Sequence, residues 1–169
     1  RARSLEANKL AARFYHDYLK GPGGGRVREY IVQRRITPRT AIRFGLGAAP
    51  DGWDTLVRHM VQQGFDKLEL IDAGLAVAGK NGRIYDKFRS RLILPVIDTR
   101  GDVAGFTSRL LPGEEGAKYL NTPETAIFKK RSILYGLNYA KNTKRPNFIL
   151  VEGNIDVITL HQAGFDNTV

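Results

Sequence analysis

Cysteine is absent from the 169 residues. That excludes disulfides and thiolate zinc sites within the chain, and it is consistent with the cytosol. Long apolar runs are absent too: nothing approaches the roughly eighteen residues of a membrane span, and the opening RARSLEANK lacks the apolar core of a signal peptide. Histidine occurs three times, at His16, His59 and His161, each alone in an expected helix with no partner at metal-ligand spacing. No nucleophile elbow or zincin motif is found. The run Gly21-Pro22-Gly23-Gly24-Gly25 is not a phosphate loop, because no strand precedes it and no Gly-Lys-Ser/Thr follows. Any catalysis is therefore left to carboxylates and a metal ion.

Acidic residues are scarce: 17 Asp and Glu stand against 27 Lys and Arg, a formal charge of +10. The imbalance is uneven. Residues 1–79 hold 13 basic and 8 acidic groups, residues 80–145 hold 14 and 6, and residues 146–169 hold 3 acidic groups and no basic one. A basic middle ahead of a short acidic end suggests a polyanion track beside a carboxylate site. A basic, merely soluble surface would have the same composition. The hydrophobic content of 42% suffices for one large domain or two small ones.

The chain opens with helices. Leu5 to Lys20 has Ser4 as a candidate N-cap and a stripe at Leu10, Phe14 and Tyr18. Arg26 to Arg34 is a short helix, and Thr37-Pro38 opens another with Thr as N-cap and Pro at the first position. Phe44 to Gly47 is a short extended piece. Asp51 to Gln63 places Trp53, Leu56, Val57 and Met60 on one helical face, ended by Gly64, and a further helix runs to about Ala73. The period then changes. Ala76-Val77-Ala78 and Arg83-Ile84-Tyr85 flank Lys80-Asn81-Gly82, a hairpin signal. Arg91 to Ile97 and Val103 to Ser108 bracket Thr99-Arg100-Gly101-Asp102 as a second hairpin, with Pro95 arguing for an edge position or a bulge. Thr122-Pro123 and Leu137 to Asn142 start further helices, and Lys144-Arg145-Pro146 is a linker.

Asn147 to Gly164, NFILVEGNIDVITLHQAG, reads as strand, acidic turn and helix. Phe148 to Val151 has the continuous apolar pattern of a strand buried on both faces. Val157, Ile158, Leu160 and Ala163 follow at helical spacing, and Gly164 stands at the C-cap. Glu152 would lie outside the carboxyl end of the strand, where parallel α/β sheets gather ligands, with Asp156 about one turn further on. An acid in this position also commonly caps the next helix. The fold class expected is thus an α+β subdomain over residues 1–145, followed by the first βα unit of an α/β fold over 146–169. The chain stops where a second parallel strand would begin, so a fragment of a longer protein is expected. In the middle, Arg89, Arg91, Arg109, Lys118, Lys129, Lys130 and Arg131 interleave with Tyr119, Phe128 and Tyr135. That composition suits phosphates and unpaired bases, or a solvated rim around core aromatics. Arg89 and Arg91, two apart on a strand, would share a face.

Three segments, YDKFRSRLILPVIDTRGDVAGFTSRLL (Tyr85 to Leu111), KYLNTPETAIFKKRSILYGL (Lys118 to Leu137) and VEGNIDVI (Val151 to Ile158), closely resemble the bacterial replicative DNA primase family. They match the N-terminal half of its RNA polymerase domain and the first motif of its TOPRIM fold. RFGLGAAPDGWDTL (Arg43 to Leu56) fits the same pattern, so the resemblance covers nearly the whole chain. It implies synthesis of short RNA primers from ribonucleoside triphosphates on a single-stranded DNA template in the bacterial cytoplasm. Glu152 matches the TOPRIM glutamate, a ligand or general base for Mg²⁺ or Mn²⁺, with Asp156 as a second metal candidate. The family's basic ridge carries over onto Arg89, Arg91, Arg109, Lys118, Tyr119, Asn121 and Lys130. Two positions depart from the pattern: Thr107-Ser108 replace glycines before Arg109, and Asn154 replaces an aromatic after Glu-Gly. The family's Asp-x-Asp metal ligands, zinc-binding module and helicase-binding module lie outside these residues, so the fragment alone is expected to be inactive. The alternatives are another TOPRIM enzyme (phage primase–helicase, topoisomerase or nuclease) and a non-catalytic single-stranded DNA-binding module.

Overall fold

The apolar run at Arg91–Ile97 is a strand covered on both sides, and the rest of the chain is built around it. A computed structural model describes all 169 residues. In chain order the elements are α1 (Ala2–Lys20), α2 (Gly25–Gln33), α3 (Pro38–Arg43), β1 (Gly47–Ala49), α4 (Thr55–Gln62), α5 (Lys67–Asp72), β2 (Ala76–Ala78), β3 (Ile84–Asp86), β4 (Arg91–Ile97), β5 (Val103–Leu110), β6 (Tyr119–Asn121), α6 (Leu137–Ala140) and α7 (Asn154–Gln162). Four strands form an antiparallel sheet in the order β1-β4-β5-β6, and β2 pairs with β3 in a separate ribbon. The architecture is α+β.

Alternation along β4 divides the interior. Leu92, Leu94 and Val96 enter one core with Val27, Ile31, Phe44, Tyr135 and Ile158, beneath α2, α3 and α7. Ile93 enters the other with Tyr15, Leu56, Met60, Leu70, Phe88 and Phe106, beneath α1, α4 and α5. Helix α1 comes so close to β1 that a Cβ on Gly47 would stand 2.7 Å from the carbonyl carbon of Tyr15. Both hairpins form as the sequence suggests. Asn81 and Gly82 take positive φ at the tip of the first, and Asp98 closes the second by accepting the Arg100 and Asp102 N–H groups. Thr37 caps α3 by accepting the Thr40 N–H at 3.2 Å, with Pro38 at the first helical position.

Several expectations need correction. Ser4 is not a cap: α1 starts earlier, and Ser4 is buried within it. Trp53 lies ahead of α4, 53% exposed, instead of on its buried face. The carboxylate that serves the start of α4 is remote in sequence: buried Asp86 accepts the Leu56 and Val57 N–H groups at 2.9 and 3.0 Å. Pro95 sits in an interior strand. Strand β1 stops at Gly47, opposite Ile93, and Phe106, opposite Pro95, directs its own N–H and C=O to Thr122. The missing proline donor therefore faces the side that β1 leaves open, and the ladder is irregular two residues on, between Val96 and Ile97. Thr122-Pro123 starts no helix, because Thr122 bonds Phe106 through both main chain and hydroxyl and so prolongs the sheet.

The last segment differs most. Ile149 and Val151 pair in parallel with residues 167–169, through Ile149 N–H to Asn167 O, Val169 N–H to Ile149 O and Val151 N–H to Val169 O. The second parallel strand therefore begins within the chain. Phe148 and Leu150 are 50% and 75% exposed, so the expected burial on both faces is absent; only one face has a layer against it. Helix α7 gives Ile155, Val157 and Ile158 to the core beneath α2 and α3, and Gly164 (φ 98°) ends it in the left-handed conformation.

Candidate nucleic-acid and nucleotide interface

Register decides which side chains meet. Arg109 lies opposite Tyr119 and Thr107 opposite Asn121, all on one face of the sheet edge. The Arg109 guanidinium stands 5.6 Å from the ring centres of both Tyr30 and Tyr119 and donates to the Leu110 carbonyl. Its Nε is buried without a partner in the chain, which is costly for a charged group and is not the arrangement of a residue kept for stability. Lys118 is exposed, with its ammonium 5.7 Å from the Tyr119 ring. Arg91 opposes Leu110 and so projects to the other face. It is 5% exposed, donating to the Ala117 carbonyl at 2.6 Å and to the Ser108 hydroxyl at 3.4 Å.

Arg89 precedes the strand, and Ser90 between it and Arg91 has φ 54°. The two arginines are therefore not alternate strand residues sharing a face. Arg89 instead donates to the Asp86 carbonyl at 2.6 Å and lies 4.2 Å over Trp53 and 5.2 Å over Tyr85. Stacking on exposed Trp53 leaves one aromatic face beside a groove lined by three cations, Lys87, Arg89 and Arg91, and by three carboxylates, Asp51, Glu114 and Glu115. Lys130 is exposed, and its N–H is held by Glu124. Phe128 and Tyr135 are core residues, leaving Tyr119 as the exposed aromatic of the three interleaved ones.

The electrostatics tie these cations together. Burial, then Arg89 and Arg109, push the Arg91 guanidinium below its ordinary value. Burial, then Lys130 and Arg91, do the same to the Lys87 ammonium. Arg3, Arg26, Arg58, Arg100 and Arg145 all have carboxylate partners. Lys87, Arg89, Arg91, Arg109, Lys118 and Lys130 have none. Lys87, Arg89, Arg91, Arg109 and Lys130 are close enough to act on one another, and Lys118 stands by the Tyr119 ring that Arg109 also approaches. Such a group of cations is the arrangement that a polyanion relieves. Sequence reading missed Lys87 and Trp53. Lys87 was hidden among ordinary basic residues, and Trp53 fitted an apolar helical stripe.

The acidic turn approaches the face of the sheet that carries Thr107, Arg109 and Tyr119, where Asn154 donates to the Thr107 hydroxyl at 3.0 Å. Glu152 is exposed and makes no hydrogen bond, and α7 has no side-chain cap, so Glu152 does not serve as a helix cap. The Asp156 carboxylate folds back over Gly153, 2.6 Å from where a Cβ on that glycine would stand, and suits the positive end of α7. Arg34 donates to the Tyr30 hydroxyl at 3.0 Å, which chiefly raises its guanidinium above the ordinary value, with smaller contributions from Tyr119 and Asp156. No three His, Asp or Glu side chains come together as a metal cage. Glu152 and Asp156 offer at most part of a donor set, and Mg²⁺ needs several ligands or phosphates to give up its waters. The lone histidines have local partners: His16 Nδ1 is 2.8 Å from the Leu46 carbonyl and His161 Nε2 is 2.8 Å from that of Thr168.

An α+β domain with unpaired cations and exposed rings at a sheet edge, and a free carboxylate on a nearby turn, defines a class of protein that handles anionic chains. Residues 14–141 match the family described as the DNA primase catalytic core, N-terminal domain, and the chain belongs to that family. The DNA primase of Clostridium acetobutylicum is 47% identical over 96% of this chain, which spans about a quarter (27%) of that relative's length. The RNA polymerase domain of Mycobacterium tuberculosis primase DnaG superposes with a TM-score of 0.93 at 39% identity, covering 99% of this chain and 55% of that one. A DnaG primase catalytic domain solved bound to single-stranded DNA gives a TM-score of 0.92 at 37% identity, with 99% and 55% covered.

Proposed function

We propose that this chain is the template- and nucleotide-handling part of a DNA primase, joined to the first βα unit of its TOPRIM fold. The parent enzyme makes short RNA primers on single-stranded DNA by metal-dependent nucleotidyl transfer. The observation that carries this reading is the set of six cations without carboxylate partners at the β6 edge. In this reading Arg89, Arg109, Lys118 and Lys130 hold the phosphates of template or ribonucleoside triphosphate, and Arg91, 5% exposed and bonded to Ala117 and Ser108, adds its charge from beneath them. Arg forks suit phosphate oxygens, and Lys supplies a point charge. Tyr119 and the Trp53–Arg89 stack offer faces for unpaired bases, and Asn121 adds a polar contact.

In the same reading Glu152 serves a divalent ion, Mg²⁺ or Mn²⁺, as ligand or general base, with Asp156 second; the support is its exposed carboxylate, free of hydrogen bonds in the chain. When bound, such an ion activates the 3′-hydroxyl and neutralises the departing pyrophosphate. The zinc-binding and helicase-binding modules of the family, and with them the replicative helicase as partner, belong to other segments of the parent. Its place is the bacterial cytoplasm, at the replisome; no helix of this chain is long and apolar enough to cross a membrane.

Two substitutions in the intact enzyme test the assignment. Lys118→Ala is expected to weaken template or nucleotide binding at low salt by about three- to tenfold, and equal affinity would remove Lys118 from the track. Glu152→Gln keeps the size and removes the charge, and primer synthesis is expected to fall by at least about a hundredfold. Full activity would favour a non-catalytic binding module. The 169 residues alone are expected to make no primers with Mg²⁺ and ribonucleotides, because their own carboxylates do not complete a metal site.

A further inference from the structure

Thr107 and Asn154 form one chain of hydrogen bonds. The Asn154 side-chain amide donates to the Thr107 hydroxyl at 3.0 Å, and that hydroxyl donates to the Asn121 side-chain carbonyl at 2.6 Å. Thr107 is 4% exposed, so the central hydroxyl is removed from water, and its two bonds carry more weight than surface bonds. The ends of the chain lie in different parts of the molecule. Asn121 ends β6 at the basic edge, and Asn154 is the first residue of α7, two beyond Glu152. Ser108 faces the opposite side, donating to the Leu120 carbonyl at 2.8 Å and receiving Arg91. The dipeptide thus serves the acidic turn with one hydroxyl and the buried arginine with the next.

We propose that Thr107 and Asn154 are positioning residues, bracing the Glu152 turn against the strand edge that carries Asn121. The proposal rests on the reading of Glu152 as a metal-serving carboxylate. The far end of α7 is fixed by Gln162, which donates to the Arg35 carbonyl at 2.7 Å and accepts the Thr37 N–H at 2.9 Å. At its first turn, next to Glu152, Asn154 is the side chain that ties it to the sheet, and such a bond is directional where the apolar contacts are not. The exposed turn between Ile149–Val151 and α7 has no other side-chain bond to the sheet. The brace also holds the Asn121 carbonyl inward, which leaves its NH₂ group as an outward donor for acceptor oxygens of a bound strand. A shift of about 1 Å in a catalytic group costs up to about a hundredfold in rate, so one buried hydroxyl at this place has leverage.

The test uses the intact enzyme with single-stranded template, ribonucleotides and Mg²⁺. Thr107→Val keeps shape and strand propensity and removes only the hydroxyl, while the amides of Asn121 and Asn154 can turn to water. Primer synthesis at saturating substrates is expected to fall about tenfold or more, with the half-saturating Mg²⁺ concentration raised and the melting temperature within a few degrees of wild type. Thr107→Ser should restore most of the rate. Asn154→Ala should resemble Thr107→Val, and the double variant should be little worse than either single one. A wild-type rate and Mg²⁺ response in Thr107→Val would overturn the brace, as would additive losses in the double variant. Glu152→Gln measured alongside separates the two readings. If it is inactive while Thr107→Val is normal, only the brace fails; if it is fully active, the role of Glu152 fails and the brace with it.

Discussion

The buried Asp86 carboxyl links stability to pH. Burial pushes it from 3.8 up to about 6, against the pull of the Leu56 and Val57 N–H groups and of Arg89. The folded protein therefore holds this proton at pH values where the unfolded chain has released it. The stabilisation from this group is greatest below about pH 4, declines as pH rises to about 6, and is constant above. The melting temperature is expected to lose a few degrees from this group between about pH 4.5 and 7. Asp86→Asn should flatten that part of the profile. An identical slope in both proteins would show that the carboxyl titrates normally. The residue also braces the interface, since it orders the start of α4 and its carbonyl receives Arg89. Nothing in the sequence pattern marks Asp86, because its partners lie some thirty positions away.

Among the elements, the contact of α1 with β1 tolerates least. A methyl at Gly47 would meet the main chain of Tyr15, which cannot turn aside as a flexible side chain would. Gly47→Ala is expected to cost about 1–3 kcal/mol, seen as a melting temperature lower by roughly 3–10 °C; an unchanged value would mean that α1 can slide on the sheet. Both hairpins were legible in the sequence because their turns are specified locally, by Asn81-Gly82 and by Asp98 accepting two N–H groups. The Thr37-Pro38 start was legible for the same reason. What escaped depends on distant partners. Thr122 joins the sheet because Phe106 is there to receive it, Trp53 leaves the helical stripe to stack on Arg89, and Phe148 and Leu150 remain exposed although their pattern is that of a buried strand. The candidate site residues come from family resemblance more than from periodicity. Periodicity alone had placed Arg89 beside Arg91 on one face.

At the scale of the whole molecule, the charge of +10 matters less than where it lacks partners. Five arginines, Arg3, Arg26, Arg58, Arg100 and Arg145, are paired with carboxylates, while the six cations gathered around β6 are not. The measurement that tests this most directly is the affinity of the chain for single-stranded DNA across a range of salt concentrations. With five or six phosphates held, the logarithm of the binding constant should fall with the logarithm of salt with a slope of about −3.5 to −4.2. Replacing Arg89 and Lys118 together by alanine should make that slope shallower by about 1.4. A slope near zero, or one unchanged by the double substitution, would contradict the account.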